Sequence, residues 1–387
     1  MAVTNCLCSC LLALVLLLYP AAGAAAAAVP DIKANAAILM DAKTGQVLYN
    51  KNMNKRGAPA STTKILTAIL AIESGRLDEM TKVSVKASST PGSSMHLYPG
   101  QLISLRELVT GLLLRSGNDA AVAIAEYLAG SSEAFVDLMN QKAAALGALH
   151  SHFCNPNGLS AAGHYSTAFD LAWMSRYALN NPIFADIVNT KETTIEWLDK
   201  RGQGHDVNLR NTNKLLWMLD DADGVKTGTT GEAGPCLVSS ATRGNQKLIA
   251  VVLHDHNRWY DSMQLLKYGF NAFDLYEFAQ ENEIVAVLPV EDGFAGEVDA
   301  LATTYAALTV ATEDLPHVTV KTDLPDKLKA PVYQGQKIGE IIFYVNDQPV
   351  KTVDIVAAQA IEERTLPRVL LNQLTAMFRL LSDWGAL

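Results

Sequence analysis

The apolar positions of this chain open as two short runs, Ala37-Ile38-Leu39-Met40 and Gln46-Val47-Leu48-Tyr49. Asp41-Ala42-Lys43-Thr44-Gly45 separates them, which predicts a β-hairpin over Ala36 to Asn50. The period then changes. Ile65, Leu66, Ile69 and Ile72 recur at helical spacing, with Pro59 and Ser61 at the start and Gly75 as a stop. A polar, serine-rich segment runs from Ser84 to Ser94. Leu105 to Leu114 is an apolar helical run that ends at Arg115-Ser116-Gly117-Asn118-Asp119. Two more helical patterns follow, Ala120 to Leu128 and Glu133 to Leu146.

Asn155-Pro156-Asn157-Gly158 signals a turn. Ser166-Thr167-Ala168-Phe169-Asp170 opens a helix that runs to Leu179, and Thr193 to Leu198 is strand-like. Leu237 to Ser240 and Leu248 to Leu253 have the texture of adjacent buried strands, joined by Arg243-Gly244-Asn245-Gln246. A helix is expected from Asp261 to Phe278. Strands, then many helices, then strands and a last helix predict an α+β unit with an antiparallel sheet rather than alternating βαβ units. From about Glu283 to Ala358 short β-rich runs alternate with turns, which predicts a small all-β module.

Both ends differ from the middle. Leu11 to Leu18 is an apolar run, short for a bilayer span, and small residues follow it from Ala21 to Ala28. That pattern predicts an export signal over residues 1–28, although no Lys or Arg precedes the run and an uncleaved anchor fits as well. At the other end, Leu366, Leu370, Leu374, Met377, Phe378, Leu381 and Trp384 form one face of Thr365 to Trp384. Polar residues through its middle argue against a span, so the stretch reads as an interfacial anchor or as a helix packed on the β module.

A formal charge of −9 argues against a nucleic-acid partner. Five cysteines are present, of which Cys6, Cys8 and Cys10 lie in the signal. Cys154 and Cys236 remain; an exported compartment allows them to pair, and two buried thiols fit equally.

Against this frame one stretch carries chemistry: Pro59-Ala60-Ser61-Thr62-Thr63-Lys64. Residues three apart share a helix face, so Lys64 is within reach of the Ser61 hydroxyl. A serine needs a base to become a nucleophile, and a lysine is one only if burial or a second cation lowers its pKa. Taken alone, the pair equally describes a capping serine beside a solvated lysine. Two later segments change that reading. Ser116-Gly117-Asn118 lies on a turn between helical patterns, and Lys226-Thr227-Gly228-Thr229 shortly precedes a strand. The ordered set S-x-x-K, S-x-N, K-T-G is the signature of penicillin-binding proteins and class A β-lactamases. Lys43-Thr44-Gly45 is a second K-T-G and reads as a hairpin turn only.

With Leu-Leu-Leu-Arg-Ser-Gly-Asn-Asp-Ala-Ala, Asn-Pro-Asn-Gly-Leu, Gly-His-Tyr-Ser-Thr-Ala-Phe-Asp-Leu and Asp-Gly-Val-Lys-Thr-Gly added, the chain resembles the D-alanyl-D-alanine carboxypeptidases, the low-molecular-mass penicillin-binding proteins. The resemblance implies a transpeptidase/β-lactamase-like catalytic domain over residues 29–281, a β-rich domain over 282–361 and an amphipathic membrane-anchoring helix over 362–387. It implies removal of the terminal D-alanine from peptidoglycan stem peptides, β-lactams as covalent inhibitors, and a place outside the cytoplasmic membrane. Residue by residue, it makes Ser61 the nucleophile, Lys64 its base and Ser116 the relay to the leaving D-alanine. Asn118 would hold the peptide backbone and Lys64, and Lys226 would add positive potential. The N–H groups of Ser61 and Thr229 would form an oxyanion hole, and Gly228 would let the substrate backbone approach. Arg258, with Thr227 and Thr230, would bind the terminal carboxylate.

Two alternatives stay on the page: a β-lactamase and a non-catalytic cell-wall binding protein. Between Asn118 and Lys226 no Glu-x-x-x-Asn supplies the deacylating base of a class A enzyme, and intact Ser61, Lys64, Ser116 and Lys226 speak against a purely binding role. No cofactor is called for. His254-Asp255-His256 would place two imidazoles on one face of a strand, but no further metal ligand is evident.

Overall fold

A computed structural model describes residues 28–371 and 373–375. The signal stretch and the end of the C-terminal helix, with Met377, Phe378, Leu381 and Trp384, lie outside the described residues.

Five antiparallel strands form the central sheet, in the order Val47–Lys51, Ala36–Asp41, Gln246–Leu253, Gly234–Arg243, Ala222–Thr230. The strands joined earliest and latest in the sequence are therefore neighbours. Side chains alternate between two cores, as a pleated strand requires. Ile38, Met40, Ile249 and Val251 face a cluster of helices, whereas Ala37, Leu39, Leu248 and Ala250 face Leu265 and Leu266 of the helix Arg258–Ala272. Burial on both faces is why these strands read as unbroken apolar runs.

Behind the sheet lie Lys64–Glu73, Leu105–Leu114, Asn118–Ala129, Ser132–Ala145 and Ala168–Leu179, close to their predicted limits. Ser104, Ser131 and Thr167 cap three of them by accepting backbone N–H bonds. Pro182–Asn189 is a further helix that the apolar pattern does not announce. Its start was nonetheless legible: Asn181 accepts from the N–H of Ile183 and Phe184, and Pro182 occupies the first turn. A side sheet of Met80–Lys82, Leu102–Ser104, Glu192–Leu198 and Gly204–Arg210 flanks the helices.

One predicted element is corrected. The closing helix stops at Ala272, and Phe273–Ala279 is a strand paired with Ala306–Ala311. Its aromatic residues suit either state, and pairing decides between them. The remaining strands form a six-stranded sheet around Val298, Ala300, Ile341, Phe343 and Ile355. The second K-T-G helps join the two parts. Lys43 pairs with Glu277 at 2.9 Å, and Thr44 Oγ1 lies 3.0 Å from Thr309 Oγ1. Cys154 and Cys236 are both free thiols.

Candidate active site

Ser61 sits in a 3₁₀ turn, Ala60–Thr63, that leads into the helix Lys64–Glu73. Its hydroxyl caps nothing and instead lies 2.9 Å from Lys64 Nζ. The turn is strained: Ala60 has φ +50, in the left-handed region. Gly158 makes room for it. A Cβ there would come within 1.9 Å of the Ala60 carbonyl oxygen, so the Asn-Pro-Asn-Gly turn and the nucleophile turn lock face to face.

Lys64 is wholly buried. Besides Ser61, its Nζ lies 2.7 Å from Asn118 Oδ1 and 2.5 Å from the carbonyl oxygen of Asn157. Asn118 Nδ2 donates to the Pro91 carbonyl, which settles the orientation of its amide. Both partners are thus oxygens that only accept. Burial, and then the charge of Lys226, hold the Lys64 pKa well below its ordinary 10.5, while Asp119 opposes them. A neutral amine has two N–H groups and one lone pair. With N–H groups donated to Asn118 and Asn157, the lone pair of the neutral form would be left for Ser61 Oγ–H.

Lys226 is 1 % exposed, and burial, followed by Arg258, lowers its pKa to about 7. It lies on the strand Ala222–Thr230, which runs beside Ser61. Gly228 is essential to that approach for a reason the sequence hides. A Cβ on Gly228 would lie 3.0 Å from Ser61 N and 3.1 Å from Ala60 Cβ, so the missing side chain also leaves room for the Ser61 turn. Thr227 Oγ1 lies 3.1 Å from Thr212 Oγ1, and Thr230 Oγ1 caps Ala233 N. Thr229 is exposed beside the cleft, and its Oγ1 accepts from Arg258 Nη1 at 2.9 Å. The same nitrogen donates to the carbonyls of Gly228 (2.8 Å) and Cys236 (3.2 Å), which fixes the guanidinium at this strand.

Ser116 is nearly buried on its turn, with φ +63. Among the described residues no hydrogen bond joins it directly to Ser61, Lys64 or Lys226. Three contributors escaped sequence reasoning. The Asn157 carbonyl is one, because a backbone acceptor has no residue signature. Asp119 is another: it accepts from Met95 N, Leu97 N and Ser94 Oγ, and so fastens the serine-rich segment to the helix that begins with Asn118. The third is His164. Its Nδ1 accepts from Cys154 N, so Nε2 donates to Thr63 Oγ1 beside Lys64, and burial holds its pKa down at about 4. His254 follows its strand with φ +52 rather than lying on it, and bonds the Ala233 carbonyl.

Comparison with known proteins agrees with this geometry. Residues 23–257 match the family described as D-alanyl-D-alanine carboxypeptidase, and residues 273–363 match the C-terminal domain of penicillin-binding protein 5. The carboxypeptidase DacF of Bacillus subtilis is 34 % identical over 362 residues, covering 91 % of this chain and 90 % of the relative. DacC of Escherichia coli is 34 % identical, covering 86 % of each. Among solved structures, penicillin-binding protein 5 of Haemophilus influenzae is 28 % identical and superposes with a TM-score of 0.76, over 87 % of this chain and 99 % of that one. The Streptomyces K15 DD-transpeptidase superposes with a TM-score of 0.61 over 63 % of this chain and 99 % of its own, at 34 % identity. With these matches lying over the buried lysine, its serine and the strand beside them, the chain belongs to the D-alanyl-D-alanine carboxypeptidase family.

Proposed function

We propose that this protein is a serine-type carboxypeptidase that removes the terminal D-alanine from peptidoglycan stem peptides through an acyl-enzyme on Ser61. The observation that carries the reading is the fully buried Lys64, its pKa lowered by burial and by Lys226, with Nζ 2.9 Å from Ser61 Oγ. Lys64 takes the hydroxyl proton as Oγ attacks the carbonyl of the penultimate D-alanine. The N–H groups of Ser61 and Thr229 hold the oxyanion. Collapse breaks the peptide bond, and Ser116 passes the proton to the departing amine. Water then cleaves the ester with Lys64 again as base. A strained β-lactam amide enters the same first step, so penicillins are covalent inhibitors. Release of D-alanine from an N-acylated tripeptide ending in D-Ala-D-Ala tests the reading; a protein that neither cleaves the peptide nor forms a penicillin adduct sinks it.

Exo-specificity requires recognition of the free terminal carboxylate. Arg258 Nη1 is committed to the strand, while Nε and Nη2 donate to no acceptor among the described residues. These nitrogens, with Thr227, Thr229, Thr230 and Lys226 close by, form the carboxylate site. Losing a charge-assisted bond costs a few kcal/mol, so Arg258→Ala should lower peptide turnover roughly 10- to 100-fold. A peptide whose terminal carboxylate is amidated should lose much less, and equal losses would remove Arg258 from the site.

The expected export signal and the C-terminal stretch support a location at the outer face of the cytoplasmic membrane, in the periplasm or cell-wall space. Among the described residues no helix is long and apolar enough to cross a membrane. Leu366, Leu370 and Leu374 recur every fourth residue and are exposed, which suits a helix lying in the lipid interface. Truncation after Glu363 should move the signal-cleaved protein from the membrane to the soluble fraction and preserve D-alanine release. Continued membrane association would place the anchor elsewhere.

A further inference from the structure

Arg258 is the first residue of the helix Arg258–Ala272, and the turn 254–257 joins that helix to the strand Gln246–Leu253. The turn is tied to its surroundings through backbone. Asp255 N donates to the Pro235 carbonyl at 2.8 Å, Arg258 N to the Asp255 carbonyl at 3.1 Å, and Asp261 N to the Asn257 carbonyl at 3.0 Å. It begins in left-handed backbone at His254, a conformation that surrounding contacts must hold. Asp255 stands inside this turn, and Asp261 lies three residues beyond Arg258, one helical turn on. Both are buried, at 1 % and 2 % exposed, and neither has a part in the chemistry at Ser61.

The fold supplies too few donors here for two buried charges. Asp255 Oδ1 accepts from Asn257 N at 2.8 Å, but Oδ2 is sealed from water and meets no donor among the described residues. An ionised oxygen left so is costly. Asp261 is better placed to keep its charge. Its Oδ2 accepts from Lys33 N, and it stands in the first turn of the helix, where free N–H groups favour an anion. The two carboxyls lie within hydrogen-bonding reach of each other, and carboxyl oxygens meet favourably only across a proton. That proton belongs to Asp255: burial, and with it the charge of Asp261, raise its pKa, while the Asn257 N–H opposes them. The other charged and titratable groups nearby are His256, Arg258 and Cys236 around Asp255, and Lys33 and Tyr49 around Asp261; none of them donates to Asp255 Oδ2.

We propose that Asp255 and Asp261 share one proton, and that the hydrogen bond it makes, closing the turn onto the helix, positions Arg258 for the substrate's terminal carboxylate. Both are positioning residues, because they act through Arg258. The inference rests on the carboxylate site proposed above, and its test separates the two. Asp255→Ala removes the bridge and leaves the Asp261 charge buried alone. Asp255→Asn keeps the bridge, because an amide N–H replaces the O–H while Oδ1 still accepts from Asn257. For a peptide with a free terminal carboxylate, kcat/KM should fall about tenfold in Asp255→Ala, chiefly through KM, and stay within about twofold of native in Asp255→Asn. The amidated peptide should be turned over alike by all three proteins. The free-to-amidated ratio is taken within one preparation, so it does not depend on the fraction of correctly folded protein. Infrared difference spectra at neutral pH, native minus Asp255→Asn, should show the C=O stretch of an un-ionised carboxyl. Absence of that band overturns the shared proton, whether or not Asp255→Ala folds. An unchanged ratio in Asp255→Ala, or Asp255→Asn as impaired as Asp255→Ala, overturns the positioning and leaves the carboxypeptidase reading standing. Equal losses on both peptides in Arg258→Ala overturn the carboxylate site, and this inference with it.

Discussion

Ser61→Ala is expected to abolish D-alanine release and covalent labelling by penicillin together. The loss in peptide turnover should be on the order of a million-fold, the scale on which removing a serine nucleophile acts. The physical ground is that, among the described residues, the one hydroxyl hydrogen-bonded to Lys64 Nζ is that of Ser61, its other partners being the acceptor oxygens of Asn118 and Asn157. Replacing Ser61 removes that hydroxyl and little else, because Ser61 caps no helix N–H and its Oγ serves no structural bond. The variant should therefore fold and melt much as the native protein does. Mass spectrometry after incubation with penicillin is the direct measurement. An adduct on the variant would show that another residue is the nucleophile.

Lys64→Met should slow acylation by roughly a hundred- to ten-thousand-fold, the usual worth of a general base. Methionine follows the lysine chain as far as Cε and is at home in a buried site, and a thermal melt of the variant separates lost chemistry from the cost of leaving the Asn118 and Asn157 oxygens unpaired. The native enzyme also has a pH signature. Protonated Lys64 cannot accept a proton, so acylation rises as pH climbs through its pKa. Burial and Lys226 depress that pKa, and the rise must fall well below the 10.5 of an ordinary lysine. Lys226 works in the opposite sense. It attracts the substrate carboxylate only while charged, and its pKa in the empty site is about 7. The kcat/KM for an anionic peptide should therefore fall as pH rises beyond 7. A bound carboxylate stabilises the charged form, so the same fall in kcat should come at higher pH. A penicillin acylation rate that is flat from about pH 5 to about pH 10 would remove Lys64 as the base.

The strain around Ser61 gives these effects a common origin. Ala60 and Ser116 both hold left-handed backbone, and each stands beside a residue of the cleft. Such conformations cost about 1–3 kcal/mol and persist only where surrounding packing dictates them. Here the packing is visible. Gly158 and Gly228 let two backbone segments close on the nucleophile turn from opposite directions, and a side chain at either would push them apart.

Much of this was readable from residue order. The strands Ala36–Asp41, Gly234–Arg243 and Gln246–Leu253 announced themselves as apolar runs, Leu105–Leu114 by its apolar helical stripe and Ala168–Leu179 because Thr167 precedes one, whereas the strand Ala222–Thr230, with polar Lys226-Thr227-Gly228-Thr229, did not. The candidate site was legible for a different reason: the roles proposed for Ser61, Lys64, Ser116, Asn118 and Lys226 are side-chain roles, and side chains are what a sequence records. What stayed hidden acts through backbone or long-range pairing. The strand state of Phe273–Ala279 depends on Ala306–Ala311, with paired residues from Ala279↔Ala306 to Phe273↔Ala311 lying 27 to 38 residues apart, beyond any local signal. The contact of the Asn157 carbonyl and the closeness permitted by Gly228 arise only when the chain is folded. Residue order thus displayed the candidate reacting groups. The fold alone set the burial that lowers the Lys64 pKa, because desolvation depends on every segment packed around it and on none of them singly.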